Sequence, residues 1–258
     1  MRVGPWDFNP SVLPTLATLF VIPVLASLGA WQLQRADQKA ALHRAYLERS
    51  SAAPLAGEAV TGVIMDREAA LYRRLRLRGR YDAAPQYLLD NQVHGGVAGY
   101  DVFTPFMPGD ESIRILVNRG WVPAGPDRTQ VPAIETPADT VEMIGQALPP
   151  PAQGLALAAA VPEAMGRGLM RVQRIQLEEI AARHGWALTP VVIRLDPGSA
   201  GGFVRDWPAP GSGRERHLGY AFQWFALAAL LAVIYVAVNL KRRDRPRIPP
   251  ACQGPDRA

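Results

Sequence analysis

FNPSVLPTLATLFVIPVLASLGAWQLQ (residues 8–34) and HLGYAFQWFALAALLAVIYVAVNL (residues 217–240) contain no Asp, Glu, Lys or Arg. As helices they would be about 40 Å and about 35 Å long. A bilayer's hydrocarbon core is about 30 Å thick, so each can cross it with some tilt. Pro14 and Pro23 fall in the first stretch; membrane helices tolerate proline where neighbouring groups satisfy the freed carbonyls. Trp31 marks the outer end of the first stretch, Tyr220 and Trp224 that of the second, and Tyr235 its inner end. This is the aromatic belt expected at the two interfaces.

Charge decides the topology. The chain has a net charge of +5 and a pI near 9.7, which invites a nucleic-acid reading. The excess is not in the middle, where residues 35–216 hold 21 Lys and Arg against 20 Asp and Glu. It lies after the second stretch, where Lys241-Arg242-Arg243-Asp244-Arg245-Pro246-Arg247 fits the positive-inside rule. Nucleic-acid binding therefore loses its support. The expected organisation has a cytoplasmic N-terminus (1–11), a first transmembrane helix (12–34), a periplasmic domain (35–216), a second transmembrane helix (217–240) and a basic cytoplasmic tail (241–258). The first stretch is too long and too weakly basic at its start for a cleaved signal peptide, and no Arg- and Ser-rich transit segment precedes it. The expected location is a bacterial cytoplasmic membrane. The single cysteine, Cys252, lies in the tail, so the middle domain has no disulfide and depends on its own core.

In that domain, Leu71 to Arg80 alternates with period two, Leu75, Leu77 and Tyr81 on one face and Arg74, Arg76, Arg78 and Arg80 on the other. Charge-lined strand faces are usually just solvated, which is the reading favoured over a lipid or acidic-partner site. Further strands are expected at Gln86–Asp90, Tyr100–Phe106, Ile113–Asn118, Thr140–Ala147 and Pro190–Leu195. Ile175 to His184 reads as an amphipathic helix closed by Gly185. The fold class is α+β: two transmembrane helices flanking a β-rich, mainly antiparallel extracytoplasmic domain with a short helix.

No Cys-x-x-Cys, His-Glu-x-x-His, Gly-x-Ser-x-Gly or P-loop lysine is present, and His43, His94, His184 and His217 are scattered. Gly79, at the end of the arginine strand, suggests a bulge or a backbone approach that a Cβ would block. Two residues stand at the outer ends of the spans. Arg35 reads either as a snorkelling anchor or as a cation for a cofactor carboxylate. His217 reads either as a hydrogen-bonded interfacial residue or as an axial haem ligand.

Five segments in order between the two spans carry a resemblance. They are Gly29-Ala30-Trp31-Gln32-Leu33-Gln34-Arg35, Arg78-Gly79-Arg80-Tyr81-Asp82, Gly99-Tyr100-Asp101-Val102-Phe103-Thr104-Pro105-Phe106, Leu116-Val117-Asn118-Arg119-Gly120-Trp121-Val122-Pro123 and His217-Leu218-Gly219-Tyr220-Ala221-Phe222-Gln223-Trp224-Phe225. Together they resemble the surfeit locus protein one family of cytochrome c oxidase assembly factors, over residues 12–243. The resemblance implies a membrane chaperone rather than an enzyme, assisting maturation of oxidase subunit I around insertion of haem a. It implies subunit I and haem a synthase as partners, within membrane lipid, and His217 as the haem ligand, with Arg35 available to a propionate. Its hallmark positions are Gly29, Trp31, Gln32, Gly79, Asn118, Arg119, Gly120, Trp121, Tyr220 and Trp224. The alternatives are a scaffold for oxidase subunits that binds no haem, and a membrane-tethered enzyme of unrecognised type. Arg216 stands where the family often has Asn, and Val172 and Gln176 where it often has Trp and Asp.

Overall fold

The computed structural model describes residues 2–3, 6–109, 113–125, 127, 130–151, 161–207, 209–211 and 213–242. Most of the basic tail, and Cys252, lie outside the described residues. Contacts divide the chain into two compact units, residues 1–42 with 211–258, and residues 43–210.

The first unit holds strands β1 (Arg2–Val3) and β2 (Trp6–Phe8), most of helix α1 (Val12–Ser50), helix α5 (Arg214–Asn239) and strand β11 (Leu240–Arg242). Both helices are long and apolar enough to cross a membrane. Leu13, Leu16, Leu19 and Phe20 of α1 and Phe222, Leu230 and Val233 of α5 are exposed, so their apolar surface has no cover within the chain. Helix α1 continues well past the first charge-free stretch, through Arg35 to Ser50, without a break. The segments that precede α1 and follow α5 are tied together. Strand β11 pairs antiparallel with β2, Leu240 opposite Phe8 and Arg242 opposite Trp6.

The second unit contains helices α2 (Glu58–Thr61), α3 (Arg67–Ala70) and α4 (Leu177–His184). Its strands are β3 (Arg74–Tyr81), β4 (Gln86–His94), β5 (Val97–Pro108), β6 (Ile113–Pro123), β7 (Val141–Leu148), β8 (Glu163–Gly166), β9 (Leu169–Val172) and β10 (Ala187–Leu195). The ladder runs β3-β7-β10-β6-β5-β4-β9-β8, and β3 also pairs with β5. That extra pairing closes β3, β7, β10, β6 and β5 into a ring, and β4, β9 and β8 extend from it. The mainly antiparallel sheet expected from the sequence is therefore curled shut, which covers the free edge of β3. Two pairings, β10 with β6 and β4 with β9, are parallel. The β8–β9 hairpin and the terminal strands escaped the sequence reading because they are too short for periodicity to show.

All five ring strands contribute to one core: Leu75, Leu77 and Tyr81, Phe106, Ile115 and Val117, Met143 and Ala147, and Val191, Ile193 and Leu195. The arginine face of β3 points away from it. Arg76 pairs with Glu142 at 3.1 Å, Arg74 with Asp196 at 2.7 Å, and Arg80 donates to the Ala138 carbonyl at 3.1 Å. The ring closes at Gly79, where a Cβ would lie 2.0 Å from the Met107 carbonyl oxygen of β5. Helix α4 seals a second core, where Ile180 meets Tyr87, Phe103 and Val172. It ends at Gly185 in the left-handed conformation (φ 65°), where a Cβ would strain the turn. Val172 is thus a core residue, and Gln176 precedes α4 as its N-cap without a side-chain capping bond.

Candidate functional site

In the first unit, Gly29, Gln32 and Ala36 recur at spacings of three and four, so they share one face of α1. All three are buried, although their surroundings on α1 are exposed. The matching face of α5 carries His217, Ala221, Phe225 and Ala228, with Ala221 and Ala228 buried. These faces meet. A Cβ on Gly29 would come within 2.8 Å of the Phe225 ring. Close approach through a small residue is how helices associate in lipid, where no hydrophobic effect drives them together. Thr15 Oγ1 and Tyr235 Oη are hydrogen-bonded at 2.7 Å further along the pair.

One turn from Gly29, His217 Nδ1 lies 2.8 Å from Gln32 Oε1. The contact engages Nδ1 and leaves Nε2 outside it, and the ring's orientation is held by the neighbouring helix. This is the arrangement by which metal-binding histidines are oriented. The ring is half-buried in the second turn of α5.

Arg35 does not meet His217. It lies one turn beyond Gln32 on α1, is exposed, and donates to Gln38 Oε1 at 2.9 Å. Trp31 and Tyr220 are exposed and Trp224 half-buried. The role of Gln32 as the partner of His217 was not deduced from the sequence. The signal was present, because an amide at helical spacing between Gly29 and Ala36 sits on an interface stripe.

In the second unit, the Asn118-Arg119-Gly120-Trp121 run forms a bulge in β6. The register with β5 shifts between Asp101 opposite Trp121 and Phe103 opposite Asn118. Asn118 Nδ2 donates to Asp101 Oδ2 at 3.1 Å, and its Oδ1 accepts from the Gly120 amide at 3.0 Å. Gly120 has φ 117°, and a Cβ there would lie 2.6 Å from the Val204 carbonyl. Trp121 Nε1 donates to the Gln92 carbonyl at 3.1 Å.

Arg119 is 1% exposed. It donates to the carbonyls of Gly201 (2.7 Å) and Glu135 (2.6 Å) and to Thr136 Oγ1 (3.0 Å). Its guanidinium lies 5.0 Å from the centre of the Tyr81 ring and 4.9 Å from that of Phe203. Burial holds its pKa below the usual arginine value and pushes the Tyr81 hydroxyl up to about 12, so the phenol stays neutral. The hallmark run is a structural knot joining the loops around residues 135 and 201 to the sheet.

The remaining histidines lie apart. His43 Nδ1 faces the Pro210 carbonyl at 3.1 Å, His94 leans on Trp121, and His184 Nε2 bonds Tyr87 Oη at 2.8 Å. Among the described residues no three His, Cys, Asp or Glu side chains converge on one point.

The SURF1 family profile matches residues 19–229, which takes in α5's His217 face, the Gly79 seam and the Arg119 knot. The chain belongs to the SURF1 family. Among curated SURF1-family relatives, Surfeit locus protein 1 of Xenopus tropicalis is 35% identical over 121 residues, 41% of this chain and 38% of the frog protein. The SURF1-like protein of Drosophila melanogaster is 27% identical over 247 residues, 87% of this chain and 77% of its own length. The cytochrome oxidase assembly protein SHY1 of Saccharomyces cerevisiae is 28% identical over 110 residues, 42% of this chain and 28% of the yeast protein. The chain thus spans less than half of the frog and yeast relatives.

Proposed function

We propose that this chain is a membrane-anchored assembly factor for haem-copper cytochrome c oxidase, which holds haem a at His217 for delivery to oxidase subunit I. The family supports the assembly role, and one relative is named for it. The hydrogen bond between His217 and Gln32 supports the haem role. It leaves Nε2 as the only ring nitrogen able to coordinate iron, on a helix face turned to a partner helix rather than to a catalytic group. Haem a is cargo in this reading, and the reading asks no catalysis of the chain. Arg35 is one turn from Gln32 and solvent-exposed; it would serve a propionate only by releasing Gln38.

The test is a visible spectrum of the protein purified from cells that make haem a. A Soret band is expected in the wild type and not in His217→Ala. Gln32→Ala keeps the ligand but not its orientation, and is expected to weaken haem retention about 10- to 100-fold, the usual effect of losing an orienting partner. No Soret band, or one unchanged in His217→Ala, sinks the haem assignment. Intact oxidase assembly in that same variant would leave the haem-free scaffold in its place.

The same reading puts both chain ends on the cytoplasmic side of a bacterial inner membrane and the β domain outside. The pairing of β2 with β11 supports it, because hydrogen-bonded ends must lie on one side of any membrane the helices cross. Cys252 is the only cysteine of the chain. A membrane-impermeant maleimide is expected to leave it unlabelled in intact spheroplasts and to label it after lysis. Labelling of intact spheroplasts would reverse the orientation.

A further inference from the structure

The β domain contains a half-open cavity of about 380 Å³ beside the β5–β6 bulge. Its walls include Trp121, Trp207, His94, Asp101, Arg194 and Asp206. Both indole N–H groups are committed to backbone carbonyls, Trp121 to Gln92 at 3.1 Å and Trp207 to Leu195 at 2.9 Å. The rings are thereby fixed, and what they offer the cavity is π surface.

Two carboxylates, Asp101 and Asp206, line the cavity. Asp101 takes one bond, from Asn118 Nδ2 to its Oδ2 at 3.1 Å. Among the described residues neither Asp101 nor Asp206 has a cationic partner within ion-pair distance. Arg194 stands in the same cavity wall. It lies 5.3 Å from the Trp207 ring centre and donates to Gln146 Oε1 at 3.2 Å. It shows that the Trp207 indole takes a guanidinium against its face. Bulges commonly re-aim side chains at ligand sites, and this one sets Asp101 opposite Trp121.

We propose that this cavity binds a guanidinium group. A carboxylate matches its planar fork of donors, and a fixed indole matches its flat face. An ammonium has neither the fork nor the flat face. Burial raises the Asp101 pKa, which a bound cation would reverse. The group could come from a free small molecule or from an arginine side chain of a polypeptide.

The test follows tryptophan emission of the full-length protein in detergent on titration with Nα-acetylarginine amide. A saturable change is expected, and none with the neutral isostere Nα-acetylcitrulline amide. Affinity is expected to fall about ten-fold in Asp101→Asn and in Asp206→Asn, the scale of one charge-assisted hydrogen bond. Asp206 is exposed and holds no part of the fold, so its variant decides alone if Asp101→Asn fails to fold. Tighter binding of a blocked pentapeptide with a central arginine points to a polypeptide source, and equal binding to a free small molecule. Absence of saturation with the arginine probe, equal binding of the citrulline probe, or unchanged affinity in every folded variant overturns the proposal.

Discussion

Arg119→Ala is expected to lower the stability of the β domain by about 4 kcal/mol, with a Tm about 10 °C lower in thermal unfolding of the purified protein. Truncation removes a buried guanidinium whose three donor atoms hold the Gly201 and Glu135 carbonyls and the Thr136 hydroxyl. Each buried carbonyl left unpaired costs about 1–3 kcal/mol, and the vacated volume between Tyr81 and Phe203 adds a cavity term. That is a large part of the 5–15 kcal/mol typical of a whole domain. Arg119→Lys should recover only a fraction. One ammonium on a flexible stem cannot reproduce a planar fork that reaches three acceptors while lying between two rings. An unfolding midpoint for Arg119→Ala within a degree or two of wild type would show that the knot carries no weight.

The second large effect is expected at Gly79. An alanine Cβ there would meet the Met107 carbonyl oxygen at 2.0 Å and Pro108 Cα at 2.8 Å, both of them main chain. Neither can move aside without shifting β5. Yet β3 is held there on both edges, with Gly79 opposite Val141 of β7 and opposite Pro108 of β5. The seam also depends on flanking bonds from the Gly109 amide to the Arg78 carbonyl (3.1 Å) and from the Asp82 amide to the Pro105 carbonyl (2.8 Å). Gly79→Ala should therefore cost at least the 1–3 kcal/mol of ordinary overpacking, about 3 kcal/mol or more because backbone must yield. Amide exchange at Asp82 and Gly109 should accelerate, reporting an opened seam. Arg78→Ala, one residue earlier on the exposed face, is the control and should change stability by less than about 0.5 kcal/mol. Equal stability of the two variants would mean that the seam can relax around a methyl group.

These two sites show where sequence reasoning reached and where it stopped. At Gly79 the alternating strand and its terminal glycine were legible, and a backbone approach was foreseeable. The approaching strand was not, because β3 and β5 meet through a ring closure that no local pattern encodes. At Arg119 the sequence offered an arginine in an apolar strand and nothing of its acceptors, which come from loops around residues 135 and 201. The His217 site divides the same way. The histidine could be singled out by its place at the head of an apolar span, but its partner Gln32 is 185 residues away and Arg35 was the more conspicuous neighbour.

By itself the sequence determined what short-range physics controls. Two charge-free runs long enough to cross a bilayer, a charge balance that puts the excess in the tail, the two-residue alternation of β3 and the glycine-terminated helix α4 all follow from side-chain chemistry along a few neighbouring residues. Only the tertiary structure decided the closure of β3 on β5, the burial of Arg119 among distant carbonyls, the pairing of His217 with Gln32 and the cavity beside Trp121. Each of these joins groups far apart in the chain. Their pairing depends on which surfaces the whole domain brings within hydrogen-bond reach, and no window of sequence contains both partners.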